Sequence, residues 1–502
     1  MKLEIKLDKN EHKSLNQIID FRIEKIKQLL KDGINPYPYK FKKQFDIDFV
    51  IESENDLNDK EISVAGRIVS LRSMGKACFM NVQDEKGKIQ LYIKNDIVGI
   101  DRYDSIVRKL DIGDIIGISG ALFRTRTNQL SINVSSLDLL SKSIRPLPNM
   151  KEKDGHVYFS FDDKENRYRY RHLDLIVNPH NRKIFRDRSK IIFKIREILN
   201  KKGFIEVETP VLQNLHGGAS ARPFKTHHNA LDQDFYLRIA EELYLKRLLV
   251  GGFEKIYEIG KNFRNEGIDR THNPEFTMLE LYEAYSDVSD MMNLCENLIK
   301  NICSELNIDS VNFMNETIKL SNTFNKVSMQ ELFKNELNCD VLSLDSKNLY
   351  DMCIEYKVDV DKKMTYGQLF DKLFSSIIEP KLIQPTFVFD YPKAISPLAK
   401  VHRNDDRLAE RFELFIAGME FANAFSELND PIDQKKRFED QLELLKSGDD
   451  EAHQMDIDFI ESMEIGMPPT GGIGIGIDRL VMLLLESESI KDVILFPSLR
   501  NK

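Results

Sequence analysis

The stretch at 257–285 limits the fold of this chain more than any other, because it contains two strand-like runs joined by a polar loop and so predicts a long β-hairpin. Successive side chains on a strand point to opposite faces. Four residues of the return strand therefore share one face: Phe276, Met278, Glu280 and Tyr282. A ring, a carboxylate and a phenol are then expected to point into one site.

The first strand and the loop of this hairpin add charged and polar groups. Arg264 has a permanent charge and a planar guanidinium that can form two parallel hydrogen bonds to a phosphate or a carboxylate. Glu266, His272 and Asn273 lie in the loop beside it. The hairpin thus indicates an anion-binding site. The structural alternative is a buried Arg–Glu pair that only stabilises the hairpin.

A second hairpin is predicted at 411–430, with its turn at Ala417 and Gly418. Period-two alternation places three residues after this turn on one face: Asn423, Phe425 and Glu427. The face combines an amide, a ring and a carboxylate.

Glu413 and Glu420 lie on opposite sides of that turn. Two carboxylates beside a polyphosphate would repel it unless a divalent cation lay between them, so the pair indicates a Mg²⁺ site. Glu420 shares the face of Asn423 only if the strand contains a bulge near Phe421 or Ala422. The alternative is two carboxylates that face solvent.

A glycine-rich strand leading into a helix is predicted at 467–485. Its glycines alternate, so the run is neither a Walker nor a Rossmann phosphate loop: Gly472, Gly474 and Gly476. We expect the absent side chains to let a flat ligand lie against the backbone, with Asp478 and Arg479 at the start of the helix. Close strand packing is the alternative.

The N-terminal part has a different pattern. A helix is predicted at 14–32, followed by five short β-type runs separated by turn signals: 62–64, 77–82, 89–93, 115–118 and 130–134. Five short strands predict a small barrel, either an oligonucleotide-binding (OB) fold or an unrelated barrel of similar size. Arg72 and Phe79 offer the cation and the stacking ring that single-stranded bases require.

Length and composition set the remaining limits. The chain has 502 residues, which predicts about three domains. We expect a helical extension at 1–60, the barrel at 61–145, and a larger domain at 146–502 with a helical insertion near 316–381. The net charge of −9 excludes a polybasic nucleic-acid binder. The N-terminus lacks an apolar core, so neither export nor a membrane partner is expected.

Three elements in order resemble the signature motifs of class II aminoacyl-tRNA synthetases: the strand ending at Pro210, the Phe263-Arg264-Asn265-Glu266 hairpin, and the glycine-rich strand before Asp478-Arg479. Further segments are similar to the lysyl-tRNA synthetase family: HGGASARPF at 216–224, LRIAEELYLKRL at 237–248, HNPEFTMLELYEAY at 272–285 and FSELNDP at 425–431. The resemblance implies an α+β chain, with an N-terminal OB-fold barrel before a class II catalytic domain built on an antiparallel sheet flanked by helices.

The resemblance also implies roles for single residues. Catalysis is expected to involve Arg264 and Arg479. ATP is expected to contact Arg264, Glu266, His272, Asn273, Phe276, Glu413 and Arg479. Lysine is expected to contact Gly218, Glu242, Glu280, Tyr282, Asn423, Phe425 and Glu427. The magnesium ligands implied are Glu413 and Glu420. The tRNA anticodon is expected to contact Arg72, Phe79, Gln90 and Gln129, where Gln129 replaces a glutamate expected in many relatives.

By the same resemblance, the chain joins L-lysine to tRNA(Lys) with ATP and Mg²⁺, as a cytoplasmic homodimer. Glu242, Tyr282 and Glu427 suit a side-chain ammonium, since two anions and a phenol would surround it. The alternatives are aspartate or asparagine specificity, a tRNA-free paralogue that resembles the catalytic domain alone, and a binding protein with an inactive synthetase fold. Residues 1–145 argue against the paralogue. Intact functional residues argue against inactivity: Arg264, Glu413, Glu420 and Arg479.

Overall fold

The computed structural model describes residues 14–148, 150–153, 156–159, 161–446 and 452–500. The chain divides into two compact units between Lys183 and Ile184. No helix in the described ranges combines the length and the apolar character that crossing a membrane requires.

The first unit contains a closed barrel with the strand order β1-β2-β3-β5-β4. Its strands are β1 (Glu61–Met74), β2 (Ala77–Gln83), β3 (Lys88–Lys94), β4 (Ile115–Arg124) and β5 (Leu130–Ser141). All five runs predicted as strands are confirmed, and each strand is longer than its run. Buried and partly exposed side chains alternate along β2 and β3, so that Met80 and Leu91 lie in the barrel core.

The remaining elements of this unit are short, apart from the first helix. That helix begins after Ser14, whose side chain accepts a hydrogen bond from the backbone of Gln17 in a capping box. The helices are α1 (Leu15–Lys31), α2 (Ile47–Glu52), α3 (Glu54–Leu57), α4 (Asn95–Val98), α5 (Ile100–Ser105), α6 (Lys164–Arg169) and α7 (Arg171–Val177). Two further strands pair with each other: β6 (Met150–Lys153) and β7 (His156–Phe159).

The second unit is built on an eight-stranded sheet with the order β16-β17-β18-β19-β20-β13-β12-β8. Its strands are β8 (Ile205–Glu206), β12 (Lys255–Phe263), β13 (Glu275–Ala284), β16 (Asn325–Ser328), β17 (Thr386–Pro392), β18 (Leu408–Ile416), β19 (Met419–Ser426) and β20 (Thr470–Gly476). The six central strands are antiparallel, as predicted. Only the edge strands β8 and β16 pair in parallel, so the sheet as a whole is mixed.

Helices and small strands surround this sheet. The helices are α8 (Asn181–Lys201), α9 (Glu242–Val250), α10 (Val288–Glu305), α11 (Met329–Leu337), α12 (Ser346–Glu355), α13 (Tyr366–Ile377), α14 (Pro431–Lys446), α15 (Ile457–Gly466), α16 (Ile477–Leu484) and α17 (Ile490–Val493). The small strands are β9 (Leu212–Gln213), β10 (Lys225–His228), β11 (Gln233–Leu237), β14 (Ser310–Phe313) and β15 (Glu316–Lys319).

One face of the sheet forms the main core. Leu279 of β13 and Ile473 of β20 are buried there with Met291 of α10 and Val481 of α16. Because strand side chains alternate, the neighbouring positions on β13 and β20 point to the opposite face. The core therefore determines which residues face the cavity described next.

Within 316–381 the chain first forms strands, and helices begin only at Met329. Helices α11 to α13 share a second core that includes Phe333, Phe370 and Leu373. The domain limits given above stay predictions.

Candidate active site

A cavity of about 800 Å³ opens on the side of the large sheet that faces away from the main core. Every residue expected to contact ATP, lysine or Mg²⁺ lines it. These residues are Gly218, Glu242, Arg264, Glu266, His272, Asn273, Phe276, Glu280, Tyr282, Glu413, Glu420, Asn423, Phe425, Glu427 and Arg479. Their individual roles stay predictions, but the structure does bring them to one place.

The glycine-rich strand β20 leaves room for acidic side chains of the protein itself. Gly472 lies opposite Tyr282 in the sheet, and Gly474 lies opposite Glu280. A Cβ atom on Gly472 would lie 2.0 Å from Glu427 Oε1, and one on Gly474 would lie 2.7 Å from Glu280 Oε1. The space over Gly472 and Gly474 that we expected a flat ligand to use is therefore already occupied by these carboxylates.

The second hairpin contains the bulge that its sequence requires. Leu414 of β18 lies opposite Ala422, whereas the next residue, Phe415, lies opposite Glu420. Phe421 is therefore the extra residue on β19. The bulge reverses the face of Glu420 relative to strict alternation, so that Glu420 lines the cavity together with Asn423.

One end of the cavity is acidic and contains an ion pair that the sequence analysis missed. Lys246 of α9 is fully buried, and its Nζ lies 2.5 Å from Glu242 Oε1 and 2.5 Å from Glu427 Oε2. The expectation from the sequence assigned these two carboxylates to a lysine ligand and did not include Lys246. The four-residue spacing of Glu242 and Lys246 on a helix was the signal available.

Burial shifts the protonation of this acidic end. It raises the pKa of Glu427 to about 8, while the ammonium of Lys246 acts in the opposite direction. Burial and the neighbouring carboxylates also raise the pKa of Glu280, which accepts a hydrogen bond from the Tyr282 hydroxyl at 3.1 Å. Burial works to lower the pKa of Lys246, but Glu242 and Glu427 outweigh it and the net shift is upward. A cationic ligand would relieve the repulsion among these carboxylates.

The other end of the cavity carries two arginines. The guanidinium of Arg264 lies 5.1 Å from the ring centre of Phe276. Its buried Nε has no hydrogen-bond partner among the described residues, which leaves a donor for a ligand. Arg479 donates from Nη1 to the backbone oxygen of Glu420 at 2.6 Å, and its Nη2 lies 3.2 Å from His272 Nε2.

Asp478 fixes the start of helix α16, and with it Arg479. Its Oδ2 accepts a hydrogen bond from the backbone N–H of Thr277 at 2.7 Å, and its Oδ1 lies 2.6 Å from Arg188 Nη1. The sequence analysis placed Asp478 correctly at the helix start but did not identify Arg188. The hydrogen bond to Thr277 joins the start of this helix to β13, and the ion pair with Arg188 supplies a counter-charge for the buried carboxylate.

Glu413 and Glu420, the expected magnesium ligands, both line the cavity. Burial raises the pKa of Glu413 to about 7, and Glu420 adds to the shift while Arg411 opposes it. Tyr391 donates a hydrogen bond to Glu413 at 2.9 Å. Within the described ranges, no group of three or more His, Cys, Asp or Glu side chains is arranged to hold a metal alone. The pair nevertheless suits Mg²⁺, which binds one or two protein carboxylates together with substrate phosphates.

The barrel of the first unit presents a row of rings. Phe79 of β2 stacks on Tyr92 of β3 with ring centres 4.7 Å apart, and Tyr92 lies 5.9 Å from Phe123 of β4. Arg72 is exposed and lies opposite Phe79 on β1. The sequence analysis missed Tyr92 and Phe123, although both have the same outward parity on their strands as Phe79.

The two glutamines expected at the anticodon lie at the end of the barrel strands. Gln90 of β3 accepts a hydrogen bond from the Ser131 hydroxyl at 2.9 Å. Gln129 is exposed in the turn before β5. Their contacts to RNA stay predictions.

Two family models match this chain. The family model for class II tRNA synthetases (D, K and N) matches residues 163–500, and the model for the OB-fold nucleic acid binding domain matches residues 62–140. The chain is 50% identical over 492 residues to the lysine–tRNA ligase of Pelotomaculum thermopropionicum, covering 97% of this chain and 96% of that protein. It is 50% identical over 494 residues to the lysine–tRNA ligase of Carboxydothermus hydrogenoformans, covering 98% and 100%. It is 47% identical over 499 residues to that of Staphylococcus epidermidis, covering 97% and 99%.

Proposed function

Because this chain belongs to the class II tRNA synthetases of the aspartate, lysine and asparagine group, we propose that it is a lysine–tRNA ligase. The observation that carries the lysine assignment is the acidic end of the cavity. Glu242, Glu427 and Glu280 surround it, and the arginines lie at the other end. Relatives that share about half of the residues over nearly the full length bear the same name.

Lysine binds with its side chain towards Glu242, Tyr282 and Glu427 in this proposal. Hydrogen bonds to charged groups contribute about 1.5–3 kcal/mol each, more than neutral ones. An analogue without the side-chain ammonium would leave Glu242 and Glu427 to share the single positive charge of Lys246, and is therefore rejected strongly. Glu280 and the backbone at Gly218 hold the α-amino group, while Asn423 and Phe425 line the lysine side of the cavity.

ATP occupies the arginine end. Phe276 and Arg479 hold the adenine between them, and Glu266, His272 and Asn273 contact the nucleotide from the hairpin loop. Arg264 bridges the lysine carboxylate and the α-phosphate. Two features support this role: its planar guanidinium group, and its Nε, which has no hydrogen-bond partner among the described residues.

The first reaction needs no protein nucleophile. An oxygen of the lysine carboxylate attacks the α-phosphorus of ATP. The bond between the α-phosphorus and the oxygen of the β-phosphate breaks, pyrophosphate departs, and lysyl-adenylate remains. Arg264 and Arg479 stabilise the charge that develops on the phosphate oxygens. Most of the acceleration comes from holding both substrates in line.

Mg²⁺ would be held by Glu413 and Glu420. When bound, the ion neutralises phosphate charge. The donor set supports this assignment, because both carboxylates line the same wall and repel each other when both are ionised.

The second reaction transfers lysine to tRNA(Lys). A ribose hydroxyl at the 3′ end of the tRNA attacks the carbonyl carbon of the adenylate, and AMP leaves. The barrel reads the anticodon, with Phe79 stacking on a base and Arg72, Gln90 and Gln129 making polar contacts. We propose that the enzyme is a homodimer and works in the cytoplasm, where charged tRNA is used.

Amino-acid-dependent exchange of pyrophosphate into ATP, measured with each of the twenty amino acids, tests this function. Exchange that depends on lysine is the expected result. Exchange with aspartate or asparagine instead, or none with any amino acid in the folded protein, would refute it.

A further inference from the structure

Lys246 lies behind the two carboxylates that the proposed function assigns to the lysine side chain. It stands one helical turn after Glu242 on α9, and it reaches Glu427, which follows β19 in the chain. Its Nζ is 2.5 Å from an oxygen of each acid, and its side chain is 0% exposed. A fully buried ammonium with two carboxylate partners holds both of them in position, because moving either one would leave charge unpaired.

The charges of the three acids that line this end of the cavity match the substrate only if Lys246 is counted with them. Glu241 also acts on Glu280, but it does not line the cavity and lies 3.3 Å from its own partner, Arg238. Glu242, Glu280 and Glu427 carry three negative charges when ionised, and Lys246 carries one positive charge. The net value is two negative charges. A lysine molecule carries two ammonium groups, on its α-carbon and at the end of its side chain.

The arrangement without Lys246 would have three buried carboxylates for two ammonium groups. Burial already raises the pKa of Glu427 to about 8 although Lys246 opposes the shift, so without Lys246 this carboxyl group would keep its proton to a still higher pH. A protonated carboxyl group offers less attraction to an ammonium than a carboxylate does.

We propose that Lys246 is a positioning residue for lysine binding, whose ammonium holds Glu242 and Glu427 in place and leaves the chamber with one negative charge for each ammonium group of the substrate. This inference rests on the proposed lysine specificity. It adds a residue that lies behind the two acids and acts on the substrate only through them.

The first test is Lys246→Met, which keeps a long side chain and removes the charge. We expect the KM for lysine in pyrophosphate exchange to rise about tenfold to a hundredfold, since one charged contact is lost or weakened. The kcat and the KM for ATP should stay within about threefold of the original protein. A purely structural lysine would instead change the amount or the melting temperature of folded enzyme without this selective effect.

The matched control is Lys255→Met. Lys255 also pairs with a glutamate, Glu283, at 2.6 Å, but it is partly exposed and does not line the cavity. Its replacement should leave the KM for lysine unchanged.

A double variant keeps the proposal testable even if Lys246→Met folds poorly. Lys246→Met combined with Glu427→Gln removes one positive and one negative charge, so the chamber again has two negative charges. Replacing both members of a buried pair is better tolerated than removing one. We expect the double variant to bind lysine more tightly than Glu427→Gln alone. The effects of the two substitutions on the KM for lysine would then not add in a double-mutant cycle.

An unchanged KM for lysine in folded Lys246→Met, or a double variant in which the two losses simply add, would overturn the inference. Absence of lysine-dependent exchange in the unaltered protein would instead overturn the proposed function. The two failures are therefore distinguishable.

Discussion

Replacing Gly472 by alanine should damage lysine binding without any change to a charged residue. The new Cβ would lie 2.0 Å from Glu427 Oε1 and 2.5 Å from Cε1 of the Tyr282 ring. Since Cβ contacts below 3.0 Å are essentially never found, the carboxylate must retreat by the 1.0 Å that separates 2.0 Å from 3.0 Å. Glu427 is fixed on its other side by the 2.5 Å contact to Lys246, so the retreat breaks or distorts that ion pair.

The expected magnitude follows from this displacement. A misplacement of about 1 Å in a binding group can lower the reaction rate about a hundredfold. We therefore expect kcat/KM for lysine in pyrophosphate exchange to fall by about that factor, which corresponds to about 2.7 kcal/mol. The KM for ATP should change little, because the arginine end of the cavity is not touched.

Gly476→Ala is the matched control on the same strand. The nearest atom to its Cβ, in Arg479, would be 3.8 Å away, which is ordinary van der Waals contact. We expect an effect of less than about threefold. If folded Gly472→Ala, checked by circular dichroism, used lysine as well as this control did, the steric reasoning would be refuted.

Three further predictions concern other parts of the molecule. Arg264→Ala should abolish lysine-dependent pyrophosphate exchange, because Arg264 is the residue proposed to bridge the two substrates; near-normal exchange in the folded variant would remove Arg264 from the mechanism. Phe79→Ala should raise the apparent KM for tRNA(Lys) in an aminoacylation assay while sparing exchange without tRNA, and unchanged charging would contradict the anticodon assignment. Burial and the charges of Glu420 and Glu413 raise the pKa of Glu379 from 4.5 to about 7. The folded state therefore binds more protons than the unfolded state in this window, and stability is lost as the pH rises from about 4.5 through about 7. Without Mg²⁺, the melting temperature of Glu379→Gln should fall less steeply with rising pH than that of the original protein. Equal slopes of melting temperature against pH in the two proteins would exclude Glu379 as the cause.

The local elements of the site were predictable because their signals are local. Alternation along 275–284 was enough to place Phe276, Glu280 and Tyr282 on one face of β13. The need for a bulge near Phe421 followed from parity alone, and the register of β18 and β19 confirms it. The resemblance to a family then assembled these elements into one cavity. The roles of the residues at ATP, at Mg²⁺ and at the anticodon stay predictions.

The features that were missed depend on contacts between distant parts of the chain. Lys246 was noted only within the segment 237–248 that resembles the family, because its second partner, Glu427, lies far along the sequence. Arg188 was not identified because its contact with Asp478 joins two helices, α8 and α16, that lie far apart in the sequence. Tyr92 lies opposite Phe79 in the pair of β2 and β3, whereas Phe123 of β4 approaches Tyr92 across β5 and so depends on the barrel as a whole.

The amino-acid sequence alone determines that this chain forms a barrel followed by a large sheet, through its periodicity, its turn residues and a short series of motifs. It also determines which face of each strand presents the polar and charged side chains of the site. The tertiary structure alone decided how charge is balanced at the end of the cavity, where Gly472 makes room for Glu427 and Lys246 lies between two acids. The physical reason is that side-chain direction is set by the backbone of one strand, whereas the energy of a buried charge depends on every group that surrounds it.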